Sequence, residues 1–231
     1  MNKLGLLGGI GPESTLQYYQ QIIQKYRDTL DTQEYPEFSM ESINMTKMLQ
    51  YVSDKDFDGL VLFLLDRVER LAQSGANFAA MASNTPHIVF DQLEEKASIP
   101  MVSIVKATCE EITRHPIQSL GLFGTKSTMT AGFYQTVGEQ FGVTIHSPNE
   151  EEQAYIHEKY FSELVFNIQN ERTREDLKEI AGKMRKRHGI QGLILGGTEL
   201  PILLGPSDFS DLQVFDTTQI HVQEIVKRMI E

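Results

Sequence analysis

The feature that most constrains this chain is that it repeats itself. An apolar run ending in a glycine turn occurs as Leu4-Gly5-Leu6-Leu7-Gly8-Gly9 and again as Leu120-Gly121-Leu122-Phe123-Gly124-Thr125. Each copy leads to a second apolar run that ends in small polar residues. These are Ser83-Asn84-Thr85-Pro86-His87 after 78–82, and Gly196-Gly197-Thr198-Glu199 after 193–195. Ser83 follows Gly9 by 74 positions and Gly197 follows Gly124 by 73. A long period used twice marks a duplicated subdomain, because solenoid units are shorter and more numerous. A generic α/β rhythm without true duplication gives the same spacing, and spacing alone does not separate the two.

Strand and helix patterns alternate along the whole chain. Strands are expected at 3–9, 37–43, 78–82, 101–105, 119–124, 143–146, 191–195 and 213–216. Helices are expected at 13–29, 57–73, 86–96, 106–114, 129–141, 151–169, 172–188 and 218–229. Such alternation predicts an α/β fold with mostly parallel sheets flanked by helices. The repeat divides it into two similar, pseudo-twofold-related subdomains with a cleft between them. The expected division is 1–105 plus 206–231 for the first and 106–205 for the second. Loops just past the ends of parallel strands are where such folds keep their ligands, so 83–87 and 196–199 are the first places to look for a site.

Composition narrows the partners. The 231 residues carry 32 acidic against 21 basic side chains, a formal charge of −11, which argues against nonspecific nucleic-acid binding. No apolar stretch approaches the roughly 20 residues that cross a bilayer, so no membrane partner is expected. Cys109 is the only cysteine, which excludes an intrachain disulfide and suits a reducing compartment. The start Met1-Asn2-Lys3 runs directly into a strand pattern without a leader-like segment, and a cytoplasmic location is expected. The glycine-rich opening Gly8-Gly9-Ile10-Gly11-Pro12 lacks the third glycine of a dinucleotide fingerprint and the Gly-Lys-Ser/Thr of a phosphate loop. What remains is a tight strand-to-helix turn, either a plain connection or one whose N–H groups hold a carboxylate.

Several motifs taken together, in order along nearly the whole chain, resemble the aspartate/glutamate racemase family. They are Gly-Leu-Leu-Gly-Gly-Ile-Gly-Pro-Glu-Ser-Thr (5–15), Ala-Ser-Asn-Thr-Pro-His (82–87), Leu-Phe-Gly-Thr (122–125), Gly-Gly-Thr-Glu-Leu (196–200) and Phe-Asp-Thr (215–217). The resemblance implies a cofactor-independent, metal-free racemase of small acidic amino acids, homodimeric, with two α/β subdomains around a cleft. It also implies that the proton-transfer groups stand at Ser83 and Gly197, where the family normally has Cys or Thr and Cys. A thiol suits α-proton transfer because its pKa of about 8.5 can be lowered into the working range, whereas a serine hydroxyl is far weaker and glycine offers nothing. The two-thiol mechanism is therefore closed to this chain.

The remaining titratable candidates are His87 and Glu199, the first a natural proton handler and the second a carboxylate at a helix start, where the dipole favours it in any case. Glu199, or water in the space left by Gly197, is the expected second donor. Ligand grip is expected from Gly9 and Ile10 at the first turn, Ser83, Asn84 and Thr85 in the first loop, Thr125, and Thr198 with Glu199 in the second. Cys109 reads as a buried helical residue. Glu150-Glu151-Glu152 reads as a solvated helix start, and Lys183, Arg185, Lys186 and Arg187 as complements to a helix C-terminus. Tyr155, Tyr160, Phe161 and Phe166 read as core or dimer packing. Two functions stay open: a racemase with altered or reduced chemistry, and a degenerate carboxylate-binding sensor or partner protein.

Overall fold

The computed structural model describes residues 1–231 and resolves into two compact units, 1–104 with 218–231, and 105–217. In chain order the first part of the chain carries β1 (Leu4–Gly8), α1 (Pro12–Leu30), β2 (Phe38–Ser42), α2 (Met45–Ser53), α3 (Phe57–Gln73), β3 (Phe78–Met81), α4 (Phe90–Lys96) and β4 (Met101–Val102). There follow α5 (Ile104–Thr113), β5 (Ser119–Gly124), α6 (Lys126–Thr130), α7 (Phe133–Gln140), β6 (Thr144–His146), α8 (Glu150–Ser162), α9 (Glu171–His188), β7 (Gly192–Gly196), β8 (Gln213–Asp216) and α10 (Thr217–Ile230).

The first unit holds a parallel sheet of order β2-β1-β3-β4. Its central strands are apolar on both faces, as a sheet covered on both sides requires. Leu4 and Leu6 of β1, with Phe78 and Ala80 of β3, pack with Tyr18 and Ile22 of α1 and with Val222, Ile225 and Met229 of α10. The alternate positions Leu7, Ala79 and Met81 face Met48 of α2, Leu60, Leu64 and Val68 of α3, and Leu93 of α4. Each fully buried side chain of this size contributes about 1.5–3 kcal/mol.

The second unit repeats the order, β6-β5-β7-β8, again parallel throughout. Phe123, Leu193 and Leu195 pack with Ile156 and Tyr160 of α8 and with Leu177, Ile180 and Met184 of α9. By strand order β1 corresponds to β5 and β3 to β7, so the two polar loops follow equivalent strands. In each sheet the chain steps to one side of the first strand and then to the other. Ligands gather at the carboxyl ends of strands beside such a reversal.

Several sequence-level boundaries move. The strand at 213–216 was expected in the first subdomain, yet it pairs with β7, Leu193 opposite Val214 and Ile194 opposite Phe215. The second unit therefore extends to 217, and only α10 returns to the first. The helix expected at 129–141 is two helices, parted at Gly132, whose φ of 81° no continuous helix accommodates. The helix expected to 169 stops at Ser162, with Asn167 left-handed soon after. The strand at 101–105 is two residues long because Ile104 opens α5. Helix α2, capped by the Asn44 side chain on the Lys47 N–H, has no counterpart in the sequence reading. Glu152 is not solvated: it closes a capping box with Asn149 and takes both Arg187 guanidinium nitrogens, at 2.9 and 2.5 Å.

Candidate active-site loops

In the first unit, the turn after β1 is fixed from within. Gly9 sits at φ 78°, and a Cβ there would approach the Ile43 carbonyl and Ser42 Oγ to 2.6 Å. Its N–H donates to Thr15 Oγ1 at 2.8 Å, and that hydroxyl donates on to the Gly11 carbonyl at 3.0 Å. The Gly9 N–H expected to hold a ligand is thus committed to the chain itself, while Ile10 is buried beside it. Ser14 Oγ donates to the Ala82 carbonyl at 2.8 Å, and the Ala82 N–H donates to Leu7 O at 2.9 Å. These bonds set the end of β3, from which Ser83, Asn84 and Thr85 emerge, all more than nine-tenths buried.

His87 belongs to the same loop, in a short 3-10 turn (Thr85–Val89) that precedes α4. Its ring lies flat on Phe90, centroids 5.1 Å apart, and its Nε2 accepts the Ile104 N–H at 3.2 Å. A neutral imidazole that accepts at Nε2 carries its proton on Nδ1 and has no second lone pair. Acting as a base would require breaking the bond to Ile104. Edge-on to His87 is His221 of α10, which sequence reasoning did not single out. His221 donates from Nε2 to the Val102 carbonyl at 3.1 Å and accepts the Tyr18 hydroxyl on Nδ1 at 2.8 Å. Complete burial lowers its pKa to about 4, so it is a neutral structural strut between α1, β4 and α10.

In the second unit, Thr125 caps α6, accepting the Thr128 N–H at 3.3 Å. Thr217 of the Phe-Asp-Thr motif donates to the Leu195 carbonyl at 2.8 Å and so steadies the end of β7. Thr198 and Glu199 follow β7 and are almost fully buried. Their neighbour is Tyr160 of α8. The phenol donates to Glu199 Oε2, and Thr198 Oγ1 donates to the same oxygen at 2.7 Å. Burial first, and the Glu199 carboxyl second, hold the phenol well above its ordinary pKa.

Tyr160 also fills the place that Gly197 leaves. A Cβ on Gly197 would lie 2.5 Å from Tyr160 Cε2 and 3.2 Å from both Cζ and the phenol oxygen. The expectation of water in that space is overturned, because the aromatic ring already occupies it. Tyr160 packs in the core, as its helical spacing predicts, and in addition bonds Glu199. The signal in the sequence was the glycine itself, since a close-packed interior does not leave a side-chain-sized gap open. Cys109 is buried and its thiol is pushed up to about 12 by burial and then by Glu110, the opposite of an activated thiol. Surface depressions of about 340 Å³ between α1 and α10, and about 350 Å³ at the amino end of β5, involve neither loop.

Comparison with known proteins matches residues 7–225 to the model of the Asp/Glu/Hydantoin racemase family. The chain belongs to that family. An aspartate racemase homologue from Pyrococcus horikoshii is 36% identical, with full coverage of both chains and a TM-score of 0.87. A candidate Asp/Glu racemase from Yersinia pestis is 29% identical, again with full coverage, at a TM-score of 0.91. The broad specificity amino-acid racemase RacX of Bacillus subtilis is 29% identical over 139 residues, 58% of this chain and 59% of that protein. The chain thus matches less than two thirds of the length of that relative. In this chain the Tyr160 ring occupies the space beside Gly197, and His87 of the first loop accepts the Ile104 N–H.

Proposed function

We propose that this protein is a cofactor-independent racemase of a small acidic amino acid, with altered proton-transfer chemistry. The observation that carries the reading is the equivalence of the two loops. Each follows the third strand of a four-stranded parallel sheet of the same order, and each gathers buried polar side chains there. Racemisation needs one group to remove the α-proton and another to return a proton to the opposite face, and two equivalent loops suit that division. Asn84 and Thr85 in the first unit, and Thr198 in the second, are buried polar side chains of the kind that hold carboxylate and ammonium groups, which suits an acidic substrate. Ser83 and the second loop supply the chemistry. A homodimer in the cytoplasm accords with the family and with a single unpaired cysteine.

The test is α-proton exchange in deuterated water, followed by proton NMR, with both enantiomers of aspartate and glutamate and then of the other amino acids. Exchange of aspartate or glutamate supports the proposal. Exchange confined to a non-acidic amino acid overturns the substrate class, and no exchange at all overturns the racemase. A second reading, a carboxylate binder without turnover, is favoured by the acceptor bond on His87. Thermal shifts with small carboxylates in the absence of any exchange would select it.

A further inference from the structure

We propose that the phenol of Tyr160, coupled to Glu199, is the proton-transfer group of the second loop and stands where the family's side chain at position 197 is missing. The inference rests on the racemase reading above and identifies one of its two groups.

Three observations converge on it. The Tyr160 oxygen lies 3.2 Å from the point where the first side-chain atom of residue 197 would be, so an ionisable oxygen is brought to the place that a thiol-bearing side chain would enter. The phenol is in hydrogen-bond contact with Glu199 Oε2, which gives its proton somewhere to go. Thr198 Oγ1 donates to that same Oε2 and fixes the carboxyl against the phenol. Tyr160 itself is held by the packing of α8, with Ile156 and Leu164 in the same core. Neither residue is a solvent-facing side chain that happens to meet another, since Tyr160 is 6% exposed and Glu199 2%.

The step balances without any added reactant. With one proton shared between phenol and carboxyl, the substrate Cα–H bond breaks and its electron pair stays on the α-carbon. The proton bonds to the Tyr160 oxygen as the phenol's own proton passes to Glu199 Oε2. The pair then holds two protons. Reversal of the same movement returns a proton to a carbanion generated from the other face. The raised phenol pKa keeps Tyr160 protonated between turnovers and lets Glu199 act as the reservoir.

Tyr160→Phe tests the assignment, because it removes the oxygen and keeps the ring that fills the space at Gly197. α-Proton exchange is measured for both enantiomers of each substrate that the wild type exchanges, after far-UV circular dichroism shows the variant folded. The expected result is asymmetric. Exchange from one enantiomer falls by about 10²–10⁴-fold, the usual contribution of a positioned acid–base group, while the other enantiomer is still deprotonated by the first loop and stays within about tenfold. Glu199→Gln, which removes the reservoir, impairs the same enantiomer and decides the matter should Tyr160→Phe not fold. Unchanged exchange, or an equal loss for both enantiomers, overturns the assignment while leaving the racemase reading intact. Absence of exchange in the wild type overturns the racemase reading first and this assignment with it.

Discussion

The filled space at position 197 has a consequence that can be measured without substrate. Gly197 lies outside the left-handed region, so alanine meets no backbone penalty there, and its three nearest obstacles are all atoms of Tyr160. A Cβ 2.5 Å from Cε2 forces a rigid, packed ring to move. Overpacking of this kind costs about 1–3 kcal/mol. The loss of unfolded-state freedom on replacing glycine returns about 0.4–1 kcal/mol. Gly197→Ala should therefore destabilise by about 0.5–2 kcal/mol, which for a chain of this length lowers Tm by roughly 1–8 °C. Tyr160→Ala alone should cost about 3–5 kcal/mol through the cavity it opens. In that background all three obstacles are gone, so Gly197→Ala should change sign and stabilise by about 0.4–1 kcal/mol. Urea unfolding of the four proteins closes the cycle. If Gly197→Ala costs the same in both backgrounds, or stabilises the wild type, the ring does not occupy that space and the reasoning fails.

The other expectations concern the scaffold. Gly182, within α9, has open space around its missing Cβ, so Gly182→Ala should stabilise by about 0.5–1 kcal/mol, and a lower urea midpoint would contradict the helix as described. His221 is neutral when folded, with its pKa lowered from 6.5 to about 4, so the unfolded chain binds the extra proton and stability falls as pH drops from about 7 to 4. The loss from this one group is on the order of 3 kcal/mol, and His221→Gln should flatten that part of the stability–pH profile whatever its effect at neutral pH. Cys109, with its thiol pushed up to about 12, should resist iodoacetamide at pH 8 in the folded protein and react once urea unfolds it; prompt labelling of the native protein would refute its burial.

Sequence legibility followed the physics of each feature. The two-sided apolar strands β1, β3, β5 and β7 were legible because a sheet covered on both faces demands continuous apolar runs. The allegiance of β8 was not, because a strand's own pattern does not say which edge it joins; that is set by the path from β7, which ends at Gly196 and is followed by β8 from Gln213. Helix breaks at Gly132 and Asn167 depend on left-handed backbone that glycine and asparagine permit without requiring. At the loops, the polar residues after β3 and β7 could be read directly. The locked tautomer of His87 and the struts Tyr18 and His221 could not, because those contacts join residues 17 to 203 positions apart.

A duplicated topology does not impose duplicated chemistry. After β3 the His87 ring accepts the Ile104 N–H, and His221 of α10 beside it is kept neutral by complete burial while it donates to the Val102 carbonyl, so both rings serve to fix the scaffold around the first loop. After β7 a phenol and a carboxyl share one hydrogen bond in the same degree of burial, and a buried carboxyl tolerates that only with donors such as Tyr160 and Thr198 in place. Removing either donor would leave Glu199 under-satisfied, whereas Gly197 makes no side-chain contribution at all. The polar contacts of the second loop thus centre on Glu199, Thr198 and Tyr160 of α8. For a variant series, substitutions at Tyr160 and Glu199 should perturb this loop more than any replacement of Ser83 by a residue of similar size perturbs the first.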